Sequence, residues 1–344
     1  MAIYYTLLNT TTFQLNTFNG RTVVYLGIGI PSIIVLLAGN VMVIAAVFTQ
    51  RALKKPSYYL LTSLAITDVI TGTIAIPLEL YRRVVTNDIT CSAKWDVYFT
   101  SVVYMCASDS MFHMVIITFD RYLAVLKPLR YNALMTPQRI VMLALLSWLT
   151  SALFAIELIV TESVKPTIPA FYCTNVRILP TTTTDTNDIF IFCMIISGNI
   201  AVVMFNIQIL RIAVKQSRRI TAIQCVGQGT ATSSESRDAA FRQIRASRLI
   251  VCVVIAFLIC HTPYGVRRLC LVVSNDFALN GVISHVSFLL YITSSAINPF
   301  IYCQMDRVFR ESVVRMIRSV CRSRTTGNED NMTTTTEQSM TYTA

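Results

Sequence analysis

Asp68, in "SLAITDVITG", stands midway along an otherwise apolar run, and polar residues occur at similar depths in other such runs. These are Asn40 in "LAGNVMV", Ser110 in "ASDSMF", and Ser294, Ser295 and Asn298 in "ITSSAINPFIY". A charge at the centre of a membrane span costs roughly 2.5–3.5 kcal/mol on insertion scales, so a survivor there needs a task. A carboxylate among hydroxyl and amide oxygens is hard-cation chemistry, with sodium or a proton as the occupant. A hydrogen-bonded network without an ion is the other reading of the same oxygens. A second constellation is "TFDRYLAVLKPLRY", where Asp120 and Arg121 adjoin at the end of an apolar run. A partly buried ion pair at a bundle mouth can serve as a latch, and Arg121, once freed, can accept contacts from another protein. A snorkelling cation at the membrane edge is the alternative.

The elements that must position these residues follow from hydropathy. The chain has 344 residues, 54% hydrophobic and 14% charged, well below the quarter or so of charged residues usual in soluble domains. Seven runs are long enough for a roughly 30 Å hydrocarbon layer: Val23–Phe48, Tyr58–Leu80, Val97–Leu126, Ile140–Val160, Ile189–Val214, Leu249–Val273 and Val282–Cys303. The expected fold is an all-α membrane protein, a seven-transmembrane helix bundle. In "CQMDRVFRESVVRMIRSVC", apolar residues at helical spacing oppose arginines, which predicts a short amphipathic helix on the membrane surface. The expected organisation is an N-terminal segment 1–22, a seven-transmembrane domain 23–304, the surface helix 305–322 and a disordered tail 323–344.

Cations orient the bundle. Arg51, Lys54, Lys55, Lys127, Arg130, Arg139, the cluster from Arg211 to Arg248 and the arginines from Arg307 to Arg324 fall on one side. That side is expected to be cytoplasmic, with the N-terminus extracellular and the protein multi-pass in the plasma membrane. The net charge of +11 therefore marks loops facing anionic lipid rather than a nucleic-acid footprint. No cleavable signal peptide is expected, because the first twenty residues are polar. Asn9-Thr10-Thr11 is a glycosylation acceptor on the outer side. Cys91 and Cys173 fall in outer segments and can form a disulfide; Cys321 closes the surface helix and can be acylated or idle. Pro31, Pro77, Pro263 and Pro299 lie inside spans, where each removes a backbone hydrogen bond and favours a kink.

"GN" with Asn40, "LAITD" with Asp68, "DRY" at Asp120–Tyr122, Trp148, "CHTP" at Cys260–Pro263 and "NPFIY" at Asn298–Tyr302 stand in order on six spans. Together they resemble the rhodopsin-like family of G-protein-coupled receptors, over residues 23 to 321. The resemblance implies a receptor without enzymatic activity that binds an extracellular ligand and activates a heterotrimeric G protein. It implies that Asp120, Arg121, Tyr122, Tyr302, Pro263, Pro299 and His261 form the switch. Asp68, Ser110, Ser294, Ser295, Asn298 and Asn40 become a pocket for an allosteric sodium ion, no other cofactor being implied. Threonines of the tail become sites for receptor kinases and arrestin.

This chain departs from the family pattern in several places. His261 replaces the usual tryptophan, the fifth-span proline is missing from "MIISGNIAVVMFN", and Asp96 stands where the third-span cysteine is usual. Gln243 replaces the acid that often pairs with the arginine, so a loose latch with basal activity is expected. Val103 stands at the aspartate position of amine receptors and Ile292 at the retinal lysine, which disfavours both subclasses. The outer pocket is expected to comprise Glu79, Val103, Tyr104, Ala107, His261, Tyr264, Arg268, Phe288 and Tyr291. Arg268, with Arg82 and Arg83 at the end of the second span, favours a small anionic or polar ligand; arginines marking the headgroup boundary are the other reading. "LKKPSYYLLTSLAITD" also resembles odorant receptors and "DRYLAVLKPLRYN" adenosine receptors. An odorant receptor of the same fold is one alternative; an ion channel or transporter using Asp68 is another.

Overall fold

In a computed structural model, residues 20–84, 93–164, 186–226, 256–266, 277–305 and 307–319 are described, and they are helical almost throughout. The spans run Gly20–Thr49, Pro56–Val84, Ala93–Leu126, Pro137–Val164, Thr186–Val226 and Phe277–Met305. Among the described residues, six helices are long and apolar enough to cross a membrane. The remaining expected run, Leu249–Val273, is described over 256–266, as helix, and is numbered sixth below. The other six helices extend past the apolar runs that announced them, because polar residues at the ends can continue the backbone hydrogen bonds into the interface.

The third span is the central post: it packs on the second, fourth and fifth, while the first packs on the second and seventh. The main apolar core joins Val43, Leu64, Met111, Val202, Phe257 and Tyr302 from six spans. Lipid-facing rows are apolar too, as Leu145, Leu149, Leu153 and Ile156 of the fourth span show by their exposure. Charged and amide residues at mid-span, such as Asp68, Asp109 and Asn40, lie on the inward rows, as expected for groups that are costly in hydrocarbon, whereas the exposed Thr73 and Ser197 return their hydroxyls to carbonyls of their own helix.

The prolines act unequally. The helix runs unbroken through Pro31 and Pro299. Near Pro77 the second span widens into a π-turn, Thr71–Ala75, with the Ile76 N–H reaching the Thr71 carbonyl. Pro77 has no N–H with which to close the α-turn on Thr73, so the helix finds another pitch just before it. The helix resumes over Ile76–Val84 with Ile76, Glu79 and Leu80 buried.

The surface helix is present over 307–319. Phe309 is fully buried beneath Tyr58 and Tyr302, with ring centroids 6.4 and 6.3 Å away. Ser312 and Val313 are also buried, whereas Arg307, Arg310, Arg315 and Arg318 are exposed. Burying the Phe309 ring ties this helix to the ends of the second and seventh spans.

Candidate functional site

Three polar constellations lie along the bundle. At the Arg121 end, Asp120 is buried and Arg121 is about one-third exposed. Their closest ion-pair contact, Arg121 Nε to Asp120 Oδ2, is 3.7 Å. The shorter bond to Asp120 comes from Tyr131, whose hydroxyl donates to Oδ1 at 2.6 Å and lies 2.7 Å from Ser57 Oγ. Burial, and then the Asp120 bond, push the Tyr131 phenol up to about 12, so it stays a donor at any physiological pH. Asp120 is thus the centre of a three-residue clasp with Arg121 and Tyr131, and no sequence signal marks Tyr131 beyond its place in "LRYN". Tyr131 is placed by the short helix Tyr131–Leu134, whose Ala133 and Leu134 carbonyls accept from Arg139 Nη1 at 3.1 and 2.9 Å. Tyr122 packs on Phe205 of the fifth span, centroids 5.6 Å apart. Leu129, between Lys127 and Tyr131, is 99% exposed.

In the middle, Asn298 Nδ2 donates to Asp68 Oδ2 at 2.8 Å, and the Ser295 hydroxyl also reaches this carboxylate. Asn40 Nδ2 donates to the carbonyls of Leu36 at 3.0 Å and Ser295 at 3.2 Å, joining the first span to the seventh. Ser294 turns instead to its own helix and donates to the Tyr291 carbonyl. Among the described residues, Asp68 Oδ1, Ser110 Oγ and Asn40 Oδ1 are buried oxygens without a hydrogen-bond partner. Buried oxygens left without a partner are costly. A hard cation fits this donor set. Tyr302 is buried nearby in chain order, its hydroxyl also unpartnered.

At the opposite end, Glu79 takes both arginines of the second span. Arg82 donates through Nε and Nη2 at 2.9 and 2.8 Å, and Arg83 through Nε at 2.7 Å. All three side chains are nine-tenths buried or more. Arg83 continues to Tyr25 at 3.2 Å and Ser284 at 3.3 Å, with its guanidinium 4.5 Å from the Phe288 ring centre. Tyr25 in turn bonds His285. Arg82 and Arg83 are therefore engaged internally rather than waiting for an anion, which corrects the expectation built on them. Val103, Ala107, Tyr264 and Tyr291 are partly buried, Tyr104 and Phe288 fully. The Tyr291 and Ser287 hydroxyls are buried without partners. His261 stacks on Phe257 at 4.2 Å, in the helical stretch that includes Pro263. Arg268, Cys91, Cys173, Asn9, Cys321 and Gln243 lie outside the described residues.

The model of one family, described as "7 transmembrane receptor (rhodopsin family)", matches residues 39–302. The chain belongs to that family. Its span order, the Asp68 network and the Asp120–Tyr122 end all fall inside the match. The histamine H2 receptor of Cavia porcellus is similar, at 27% identity over 81% of this chain and 75% of its own length. So is the trace amine-associated receptor 1 of Mus musculus, at 26% over 82% and 84%. The alpha-2Da adrenergic receptor of Danio rerio is 36% identical over 37% of this chain and 31% of its own. As a rhodopsin-family receptor, the chain is a multi-pass plasma-membrane protein that binds a ligand and signals through a G protein, and it is not an enzyme.

Proposed function

We propose that this receptor takes a small polar ligand at the Glu79 end, which faces outside, and opens its Arg121 end to a G protein in the cytoplasm. The observation that carries this reading is the asymmetry of the two ends. At one, Arg121 is accessible and only loosely held by Asp120; at the other, buried hydroxyls of Tyr291 and Ser287 lack partners. The distribution of cations supports the same orientation. Three of the relatives are named for amines or adrenergic ligands, yet Val103 offers no carboxylate, and Glu79 is occupied by two guanidinium groups. A neutral hydrogen-bonding ligand suits the remaining hydroxyls better than a simple cation. Ligand binding need only favour the open form to shift the population, and the G protein reciprocally tightens the ligand.

Asp68, Ser110, Asn40 and Ser295 would hold a sodium ion, whose charge stabilises the closed packing when bound. The chain's own part is to aim the orphan oxygens and to fix Asp68 through Asn298. Receptor kinases and arrestin act on the tail threonines, and anionic lipid on the arginines of the surface helix. A library of small polar molecules, screened for G-protein activation in cells, tests the ligand reading. An active compound should lose at least about tenfold potency in Tyr291→Phe, the loss of one buried hydrogen bond; unchanged potency there and in Ser287→Ala would remove the pocket assignment. For the cation, sodium chloride should raise the unfolding temperature of the purified receptor above that in choline chloride, and Asp68→Asn should abolish the difference.

A further inference from the structure

Between the second, third and fourth spans lies a buried acid–base pair that neither end of the receptor uses. Asp109 and His113 stand one turn apart on the third span, and both are wholly buried. Asp109 accepts from Ser147 Oγ of the fourth span at 2.6 Å and from the Thr67 hydroxyl of the second. His113 Nδ1 lies 2.9 Å from the Asp109 carbonyl oxygen and 3.2 Å from its Oδ2. His113 Nε2 lies 2.8 Å from Ser63 Oγ, which accepts the Trp148 indole N–H at 3.0 Å. Ser147 Oγ is also 3.2 Å from Nδ1.

Counting hydrogens shows what this cluster can hold. Trp148 only donates, so it occupies one lone pair of Ser63. The Ser147 hydrogen goes to Asp109 across the shorter distance. Nδ1 then faces acceptors and carries a hydrogen, and Asp109, with three donors around it, fits as a carboxylate. Nε2 remains open. Ser63 can give its own hydrogen to a bare Nε2, or use its second lone pair to accept from a protonated one. Both states keep every heavy atom where it is, so one extra proton can enter by turning a hydroxyl.

We propose that His113 is a proton-binding site in the membrane core of this receptor, with Asp109 and Asp68 as its counter-charges. Asp109 is on its own helix, and Asp68 of the second span is close enough to interact electrostatically with both. Cys106 of the third span and Tyr291 and Tyr302 of the seventh are the other titratable groups linked to these carboxylates. Among the described residues, the fourth span contributes the hydroxyl of Ser147 and the indole of Trp148 to the cluster, and the buried polar residues of the fifth, Asn199 and Asn206, are uncharged. With Asp109 as a carboxylate, proton uptake takes the Asp109–His113 pair from one net negative charge to none, a large change in a medium of low dielectric. Histidine is the side chain whose ordinary charge change falls near physiological pH. This argument stands without sodium. Where it rests on the cation reading above, it adds that a proton on His113 and a cation at Asp68 oppose one another.

The chain has three histidines, so labelling them selectively gives three sets of ring resonances in nuclear magnetic resonance. His113→Gln identifies the set that disappears. In full-length receptor in choline chloride, lowering the pH from about 8 to about 5.5 should move the His113 resonances, as proton binding to a ring nitrogen requires. Asp109→Asn should weaken that proton uptake at least about tenfold, because it removes the nearest counter-charge. Asp68→Asn should weaken it less. Ser63→Ala, which deletes the Nε2 partner and the acceptor of the Trp148 indole N–H, should also weaken it, because the charged ring loses the stronger bond. Resonances that stay fixed across this range in the wild type, or that move equally in wild type, Asp109→Asn and Ser63→Ala, would overturn the proposal. Sodium chloride in place of choline chloride should oppose the uptake. If both salts give the same response while Asp109→Asn abolishes it, the proton site stands and the cation reading of Asp68 falls.

Discussion

Asp120 shares its carboxylate between a tyrosine that holds it well and an arginine that it holds poorly. The two contacts respond oppositely to substitution. Asp120→Asn removes the charge that restrains Arg121 and should raise ligand-independent nucleotide exchange severalfold at matched surface expression. Tyr131→Phe removes a charge-assisted bond, typically about 1.5–3 kcal/mol, and leaves Asp120 free to swing onto Arg121, so basal exchange should fall. Equal effects of the two variants would mean that Tyr131 and Arg121 do not compete. Glu79 makes the converse case. Its replacement by alanine strands two buried guanidinium groups, a loss of order 3–5 kcal/mol for breaking a buried pair. Thermal unfolding of Glu79→Ala should show a marked drop, and Glu79→Gln a smaller one. Asp68, Asn298 and Arg121 could be read from their types and neighbours, because a charge in hydrocarbon is conspicuous. Tyr131 could not. Asp109 and His113 are as conspicuous by type, but only the crossing of three helices gives them partners.

At the scale of the helix, Gly39 shows what close packing demands. A Cβ built there would lie 2.8 Å from Pro299 Cγ and 3.1 Å from its Cβ, atoms of a ring that cannot rotate aside. The first and seventh spans therefore touch beside the Asn40–Ser295 contact. Gly39→Val should force the two apart, lowering the unfolding temperature and weakening any sodium stabilisation; an unchanged sodium response would show that Asn40 is dispensable. Hydropathy found the spans themselves, since each needs about 20 apolar residues. It could not find their ends, which run into water wherever polar residues keep the helical bonds. Nor could it rank the prolines. All four carry the same backbone defect, but only at Pro77 does the chain answer with a π-turn, and that turn precedes the segment placing Glu79 inward. The Phe309 anchor was visible as part of an amphipathic stripe, whereas its stacking on Tyr58 and edge contact with Tyr302 depend on where two distant helices end.

The whole molecule is a bundle whose charged groups are concentrated at two ends and one middle layer, with apolar packing between. Such a bundle transmits by choosing between packings rather than by passing charge along a wire. Its central claim is that the Arg121 end is the surface on which a G protein is activated. The direct test uses the full chain purified into lipid nanodiscs with each class of heterotrimeric G protein, measuring guanine-nucleotide exchange for wild type and Arg121→Glu. The account predicts that wild type accelerates exchange on at least one heterotrimer, basally or with a library ligand, and that the charge reversal abolishes this while leaving the unfolding temperature near that of wild type. Exchange that is equally fast with Arg121→Glu, on every heterotrimer tested, would contradict it.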